Sequence, residues 1–287
     1  MNIKQYQFKN KGNLSVEVVE MENLVQKAQK SLLIPHRTDF YHIFLFENCK
    51  PKHIVDFENL DIQANSLLFL DKGRVHQFDE NLEYKGKILI FTDDFYCQYA
   101  QDTHYLKTNS LFNDITGNSV LEVREEISLF LQICQQINQE LAQDNDFAKR
   151  EIIKNYVHTF LLLAEREKHK KGFTELKKGA DLDYFLLFKD LLEKHFKEKK
   201  SVSAYCEKLF VTEKRLNKAT TQILGKTPKQ LIDERLLLEA KRLLVHETHT
   251  IKEIAYELGF DEPTNFIKYF KKHTQKSPTE FRENPLA

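Results

Sequence analysis

Pro263, Thr264, Asn265 and Lys268 lie together in the stretch ELGFDEPTNFIKYF, Glu257 to Phe270, which also carries Phe266 and Phe270 four residues apart. On a helix this i, i+4 pair turns inward. Pro263, Thr264 and Lys268 then point outward, with Asn265 near the edge of that face. The chemistry on offer is recognition rather than bond-making: an ammonium donates hydrogen bonds, a carboxamide sets a donor beside an acceptor, and threonine adds a methyl to its hydroxyl. Thr264 and Asn265 are equally residues that cap a helix start, and Lys268 equally serves as a charge contact or a solvated charge. Elsewhere no Ser/His/Asp or Cys/His constellation is evident. Cys49, Cys97, Cys134 and Cys206 lie far apart with no C-x-x-C pair, which suggests neither a zinc site nor a disulfide framework.

The stretch has a counterpart upstream. Val202, Tyr205, Cys206 and Leu209 match Ile251, Ile254, Ala255 and Leu258 at a constant offset of 49, both quartets having the spacing of one helix face. The offset then becomes 50: Leu216 matches Phe266, Lys218 matches Lys268, Thr227-Pro228 matches Ser277-Pro278, and Leu231 matches Phe281. A slip of one residue belongs in a turn, which absorbs an insertion that a packed helix cannot. Each copy therefore reads helix, tight turn, helix. Gly259 supplies a left-handed turn residue, Asp261 is placed to cap the next helix, and Pro263 falls in its first turn; in the first copy Thr212 is the cap. A continuous helical pattern from Pro228 to Val245 bridges the copies. This is the layout of a helix-turn-helix pair, whose second helices can enter a DNA major groove.

The elements that must position these residues fall into two parts. A chain of 287 residues suits two domains. Up to about residue 92 short strand-like runs dominate, among them LSVEVV, YHIFLF, SLLFL and KILIFT, and strands without intervening helices favour a small barrel or jelly roll. From about 122 to 168 the period changes to helical, with Ile127, Phe130, Leu131, Cys134, Ile137 and Leu141 on one stripe and a second, wider apolar surface from Ile152 to Leu163. The pair fits core packing and also a dimer interface. The polar, Gly-containing segment 169–183 reads as a linker, and all that follows reads as helix. Charge is uneven: residues 197–287 carry 18 Lys/Arg and 13 Asp/Glu, a net of +5, against 25 and 30 in residues 1–196, a net of −5. The N-terminus lacks the apolar core of a leader, and no apolar run is long enough to span a bilayer, so a soluble cytoplasmic protein is expected.

The segment IKEIAYELGFDEPTNFIKYFKKHTQKSPTEFRE resembles the C-terminal signature of AraC/XylS-type transcription regulators, and the resemblance covers about Asp183 to Glu283. It implies an all-α domain, residues 184–287, with helix-turn-helix units at about 202–224 and 251–273 set into successive major grooves of double-stranded DNA. The base-reading positions it implies are Lys214, Asn217 and Lys218 in the first unit and Pro263, Thr264, Asn265 and Lys268 in the second. Arg215, Lys271, Lys272 and Lys276 are expected on phosphate. Three residues depart from the usual pattern: Phe210 replaces a turn Gly, Thr220 an aromatic core residue, and Gln275 a Gly.

PHRTDFYHIFLF followed by NSLLFLDKGRVHQF resembles the cupin-like sensor half of the same family. That resemblance implies an α+β protein of two domains, residues 1–168 forming a cupin-like β-barrel with following helices, for sensing and dimerisation. His36, His42 and His76 are the candidates for an effector pocket, or else are structural histidines. A metal site is not expected, because the motif H-x-H is reduced to His36-Arg37-Thr38 and no suitably spaced Glu follows. No cofactor is implied. The partners implied are DNA, a small-molecule effector, a second copy of the chain and RNA polymerase. The competing readings are a cupin-type metalloenzyme with a helical accessory domain, and a helical interaction module that does not bind DNA.

Overall fold

The computed structural model describes residues 3–8, 14–112, 120–172 and 179–284. It divides into an N-terminal unit, Lys4–Glu175, and a C-terminal unit, Leu176–Ala287 with Met1–Ile3. Of the expected linker, residues 169–183, positions 173–178 lie outside the described residues; the flanking helices run to Lys170 and begin again at Ala180, so both ends of that stretch are helical.

In the N-terminal unit the elements follow in the order β1 (Lys4–Tyr6), β2 (Val16–Glu20), α1 (Met21–Leu32), β3 (His36–Thr38), β4 (Tyr41–Phe46), β5 (Lys52–Val55), β6 (Glu58–Asp61), β7 (Ser66–Leu70), β8 (His76–Phe78) and β9 (Gly86–Phe91), then α2 (Asp93–Tyr96), α3 (Ala100–Thr108), β10 (Val120–Glu122), α4 (Ile127–Leu141) and α5 (Lys149–Lys170). The strands form two five-stranded sheets, ordered β1-β3-β8-β5-β6 and β10-β7-β4-β9-β2. Apart from the parallel β1–β3 pair, the paired strands run antiparallel.

The expected cupin-like barrel is not what forms: each sheet ends in two edge strands, and among the described residues no ladder closes either sheet on itself. The physical reason lies in how the second sheet hides both of its faces. On β4, β7 and β9, residues Phe44, Phe46, Leu68, Leu70 and Ile88 pack toward the first sheet with Val55, Phe78 and Tyr84. The alternate residues Ile43, Leu45, Leu67, Phe69, Leu89 and Phe91 pack with Phe130 and Ile137 of α4 and with Ile153, Val157 and Phe160 of α5. Helices, sheet and sheet make three layers, so the apolar run YHIFLF is buried at every position without the sheet curling shut. The outer strand β6, ENLD, is polar, which protects an open edge from pairing with other chains.

The C-terminal unit is helical throughout its described secondary structure: α6 (Ala180–His195), α7 (Val202–Leu209), α8 (Glu213–Leu224), α9 (Pro228–His246), α10 (Ile251–Glu257), α11 (Pro263–Thr274) and α12 (Pro278–Glu283). Its core joins Phe188, Tyr205, Leu216, Ile232, Leu236, Ile254, Leu258, Phe266 and Phe270, all buried. The side-chain caps sit where the repeat places them: Thr212 accepts from Arg215 N–H at 3.2 Å, and Thr227, Thr250 and Ser277 each head a capping box. Asp261 is not the cap of α11. That role falls to Glu262, which makes no side-chain cap hydrogen bond.

The two turns share one backbone device and differ in what lies behind it. Val211 N–H donates to Cys206 carbonyl at 3.1 Å, and Phe260 N–H to Ala255 carbonyl at 2.9 Å, the six-to-one bond of a left-handed helix end. The left-handed residue is Phe210 (φ 54°) in the first turn and Gly259 (φ 71°) in the second. Phe210 is 94% exposed, so its ring returns little packing for a conformation that disfavours a Cβ. Phe210→Gly should therefore stabilise the unit by roughly 0.5–1.5 kcal/mol, the left-handed penalty of about 1–2 kcal/mol less the entropy glycine adds to the unfolded chain. A higher urea midpoint checks it; an unchanged or lower midpoint contradicts it.

Candidate nucleic-acid interface

The candidate recognition helices are α8 and α11, and the core sets their rotation. Leu216, Ala219 and Thr220 turn α8 inward, while Phe266 and Phe270 turn α11 inward, all five fully buried. Thr220 fits where an aromatic is usual by bonding back: its hydroxyl donates to Asn217 carbonyl at 3.3 Å. Opposite these anchors, Lys214, Asn217 and Lys218 are exposed on α8, and Thr264, Asn265 and Lys268 on α11, with Pro263 half-buried. None of the six exposed side chains has a side-chain hydrogen bond or ion pair among the described residues. For Thr264 and Asn265 this sets aside the local capping role.

The charged residues separate into two kinds. Lys271 and Lys272 are exposed in the last turn of α11, where cations also suit the helix dipole. Lys276 follows, half-buried, its ammonium 3.4 Å from Asn284 carbonyl. Arg215 is engaged within the domain: its guanidinium pairs with Asp181 and lies 4.5 Å from the ring centre of Tyr184, both on α6. No spacing in the sequence announces that brace, because Asp181 is 34 residues away.

The helix α9 is the frame for both recognition helices. Arg235 aims its single Nε–H at both carboxylate oxygens of Glu193, at 2.8 and 2.9 Å, reaches Glu239 at 3.2 Å and stacks 3.9 Å from the ring centre of Phe196. Glu239 also holds Arg242 at 3.3 Å, both buried. Tyr269 of α11 donates to Asp233 carbonyl at 3.1 Å, and Arg282 donates to Leu244 carbonyl at 3.0 Å and His249 carbonyl at 2.6 Å. Charged and backbone partners thus fix α11 and α12 on α9, adding direction to a core that apolar packing alone leaves orientable.

In the N-terminal unit, His36, His42 and His76 do come together, and a fourth imidazole that sequence reasoning missed, His53, joins them. His42 comes from the second sheet and the other three from the first. His36 and His76 lie 4.3 Å apart between ring centres, His42 and His76 5.1 Å, and His53 and His76 5.3 Å. Tyr84 orders the chain of protons. Its hydroxyl donates to Lys52 carbonyl, accepts from Asp79 N–H at 2.9 Å and lies 3.3 Å from His53 Nδ1, which must therefore carry hydrogen. Neutral His53 then accepts at Nε2, and His76 Nδ1–H donates to it across 3.2 Å. His76 Nε2 and His42 Nδ1 remain buried without a partner among the described residues. Burial pushes His42 and His53 down to about 3 and His76 well below its ordinary value, with the neighbouring imidazoles adding to the effect. His36 is lowered by burial, against which its bond to Ile34 carbonyl works. Among the described residues no three His, Cys, Asp or Glu side chains are arranged to hold a metal ion. The signal for His53 was its alternation with Val55 in β5, both buried.

Helices α7 and α8, and α10 and α11, thus form two helix-turn-helix pairs on one frame, each with polar side chains on its outer face that lack partners among the described residues. Residues 205–284 match the family model described as a helix-turn-helix domain. The chain is 26% identical over 255 residues to the HTH-type transcriptional activator RhaS of Salmonella dublin, covering 86% of this chain and 87% of that one, and 25% identical over the same shares to RhaS of Salmonella schwarzengrund. Among solved structures, ToxT of Vibrio cholerae is 16% identical over 94% of both chains with a TM-score of 0.44. The C-terminal domain of the response regulator yesN of Fusobacterium nucleatum is 26% identical over 33% of this chain, with a TM-score of 0.32. Both of these relatives are named as transcriptional activators. Among the described residues no helix is long and apolar enough to cross a membrane.

Proposed function

We propose that the protein is a sequence-specific DNA-binding transcription regulator whose C-terminal unit reads two successive major grooves. The observation that carries this reading is the pair of helices α8 and α11, each anchored by buried residues and each leaving lysine and carboxamide groups on its outer face without partners among the described residues. Likeness to RhaS over most of both chains supports it. Lys214, Asn217 and Lys218 on α8, and Pro263, Thr264, Asn265 and Lys268 on α11, meet base edges: lysine at guanine O6 or N7, asparagine at adenine, threonine at a thymine methyl. Lys271, Lys272 and Lys276 meet phosphate. Arg215 reaches phosphate only by leaving Asp181.

The N-terminal unit belongs to the same proposal as the sensing and pairing half. An effector held near His36, His42 and His76 biases how the recognition helices of two copies are presented, a population shift rather than a new contact at the DNA. The α4 and α5 surface, where Leu129, Ile152 and Leu162 are exposed, pairs the two copies. The setting is the cytoplasm, with RNA polymerase as a further partner.

Two substitutions test the division of labour. Lys268→Ala should cost roughly 1–3 kcal/mol on the preferred duplex and relax the choice at one base pair. Lys271→Ala should weaken all duplexes alike and flatten the dependence of log affinity on log salt by about 0.9. Affinities over a salt series on preferred and scrambled duplexes read both effects, and equal losses on both duplexes for Lys268→Ala would remove it from base reading.

A further inference from the structure

On a face otherwise made of lysine, threonine and asparagine, α11 exposes one aliphatic side chain. Ile267 is 38% exposed, next to Lys268 and between Thr264 and Lys271, one helical turn away on either side. Its place is not arbitrary. The offset of 50 that matches Lys218 with Lys268 matches Ile267 with Asn217, which is exposed beside Lys218 on α8. The two recognition helices therefore present the same two neighbouring positions, with a carboxamide in the first unit and a branched hydrocarbon in the second.

A carboxamide at that position can use the donors and acceptors of a base edge. Ile267 can use none of them, since it carries no polar side-chain atom, and it gains only by covering its methyl groups with another apolar surface. In the major groove the bases offer one such group, the C5-methyl of thymine. We infer that Ile267 is a specificity-determining residue of the second unit and packs against a thymine methyl next to the base pair contacted by Lys268. The inference rests on the DNA-reading role proposed above and adds to it the base at that step. It also accounts for the difference between the repeats: the first unit reads this step by hydrogen bonds and the second by shape and apolar contact, so the two half-sites differ in sequence.

The test is a uracil scan with the full-length chain. On the duplex that the protein selects from a random pool, each thymine is replaced singly by deoxyuridine, which removes the methyl and leaves every hydrogen-bonding group. The wild type should lose roughly fourfold in affinity at one thymine of the second half-site, the weight of one buried methyl-sized group. Ile267→Ala should bind the thymine duplex about as weakly as the wild type binds the uracil duplex, and should show no further loss on uracil. Cytosine at that position should bind poorly and 5-methylcytosine should recover part of the affinity for the wild type but not for Ile267→Ala. A uracil profile identical in the wild type and Ile267→Ala overturns the inference while leaving DNA reading intact, provided Lys268→Ala still relaxes the site. If no preferred duplex emerges at all, the functional reading and this inference fail together.

Discussion

Lowering the pH from 7 to 4 is expected to unfold the N-terminal unit of the full-length chain while the C-terminal unit remains helical. The cause is the seam of four imidazoles between the two sheets. His42, His53 and His76 are held neutral by burial, His42 and His53 with values near 3. Once unfolded, each regains the ordinary value near 6.5 and binds a proton below it. The unfolded chain then binds more protons than the folded one, so stability falls as pH drops from 6.5 toward about 3. Each such group removes about 1.4 kcal/mol per pH unit, and three together roughly 4 kcal/mol per unit. Against a total stability of about 5–15 kcal/mol, the midpoint falls near pH 4–5. His36, with Lys4 nearby, acts in the same sense. The histidines of the C-terminal unit are not buried, so that unit lacks such a seam.

Fluorescence of the tyrosines and far-ultraviolet dichroism, followed through an acid titration, would show a loss of sheet signal before any loss of helix. Replacing His42 by Phe should lower the midpoint, because one of the protonation sites is gone. Its unpartnered nitrogen makes the exchange cheap, since no hydrogen bond is lost at His42 Nδ1. An acid midpoint that does not move in this variant contradicts the assignment.

Gly259→Ala should disable the second unit outright. A Cβ at Gly259 would stand 2.1 Å from Lys197 carbonyl oxygen and 3.0 Å from Lys200 Nζ, and its φ of 71° penalises any side chain. The obstacle is backbone, held in turn by Lys200, whose ammonium donates to Lys197 carbonyl at 2.7 Å and also to Gly259 carbonyl. A left-handed penalty of about 1–2 kcal/mol and an overpacking cost of about 1–3 kcal/mol sum to roughly 3 kcal/mol. That is a large part of what holds a domain of this size together. Gly225→Ala is the control: its φ is also positive, at 67°, but a Cβ there meets nothing, so only the conformational penalty applies. Urea unfolding should separate the two variants by about 1–3 kcal/mol, and binding at the second half-site should be lost in the first alone. Equal destabilisation would show that the turn does not press on the 197–200 segment.

Much of the C-terminal unit was legible because its information is local. The shift of offset from 49 to 50 put the insertion in the turn, and in the structure the matched left-handed residues, Phe210 and Gly259, stand 49 apart while the matched N-caps, Thr212 and Glu262, stand 50 apart. Inward anchors at i and i+4 fixed the outer face, so Lys214, Lys218, Thr264 and Lys268 are where helical geometry puts them. What was not legible depends on contacts between distant residues. Nothing in residues 213–224 reveals that Arg215 is held by Asp181 and Tyr184. Strand-like runs of four to six residues do not state which edges pair, so the same pattern that suggests a barrel is satisfied by two open sheets under a helical layer. His53 escaped for the same reason, its meaning resting on the register that sets Val55 of β5 opposite His76 of β8.

The most direct measurement is selection of duplex DNA from a random pool by the full-length chain at moderate salt. The pair of recognition helices predicts an enriched consensus of two unlike blocks centred about one helical turn, 10–10.5 base pairs, apart. The block read by α11 should be lost in Gly259→Ala and relaxed at one base pair in Lys268→Ala. A pool that remains unenriched, or a consensus that both variants leave unchanged, contradicts the account.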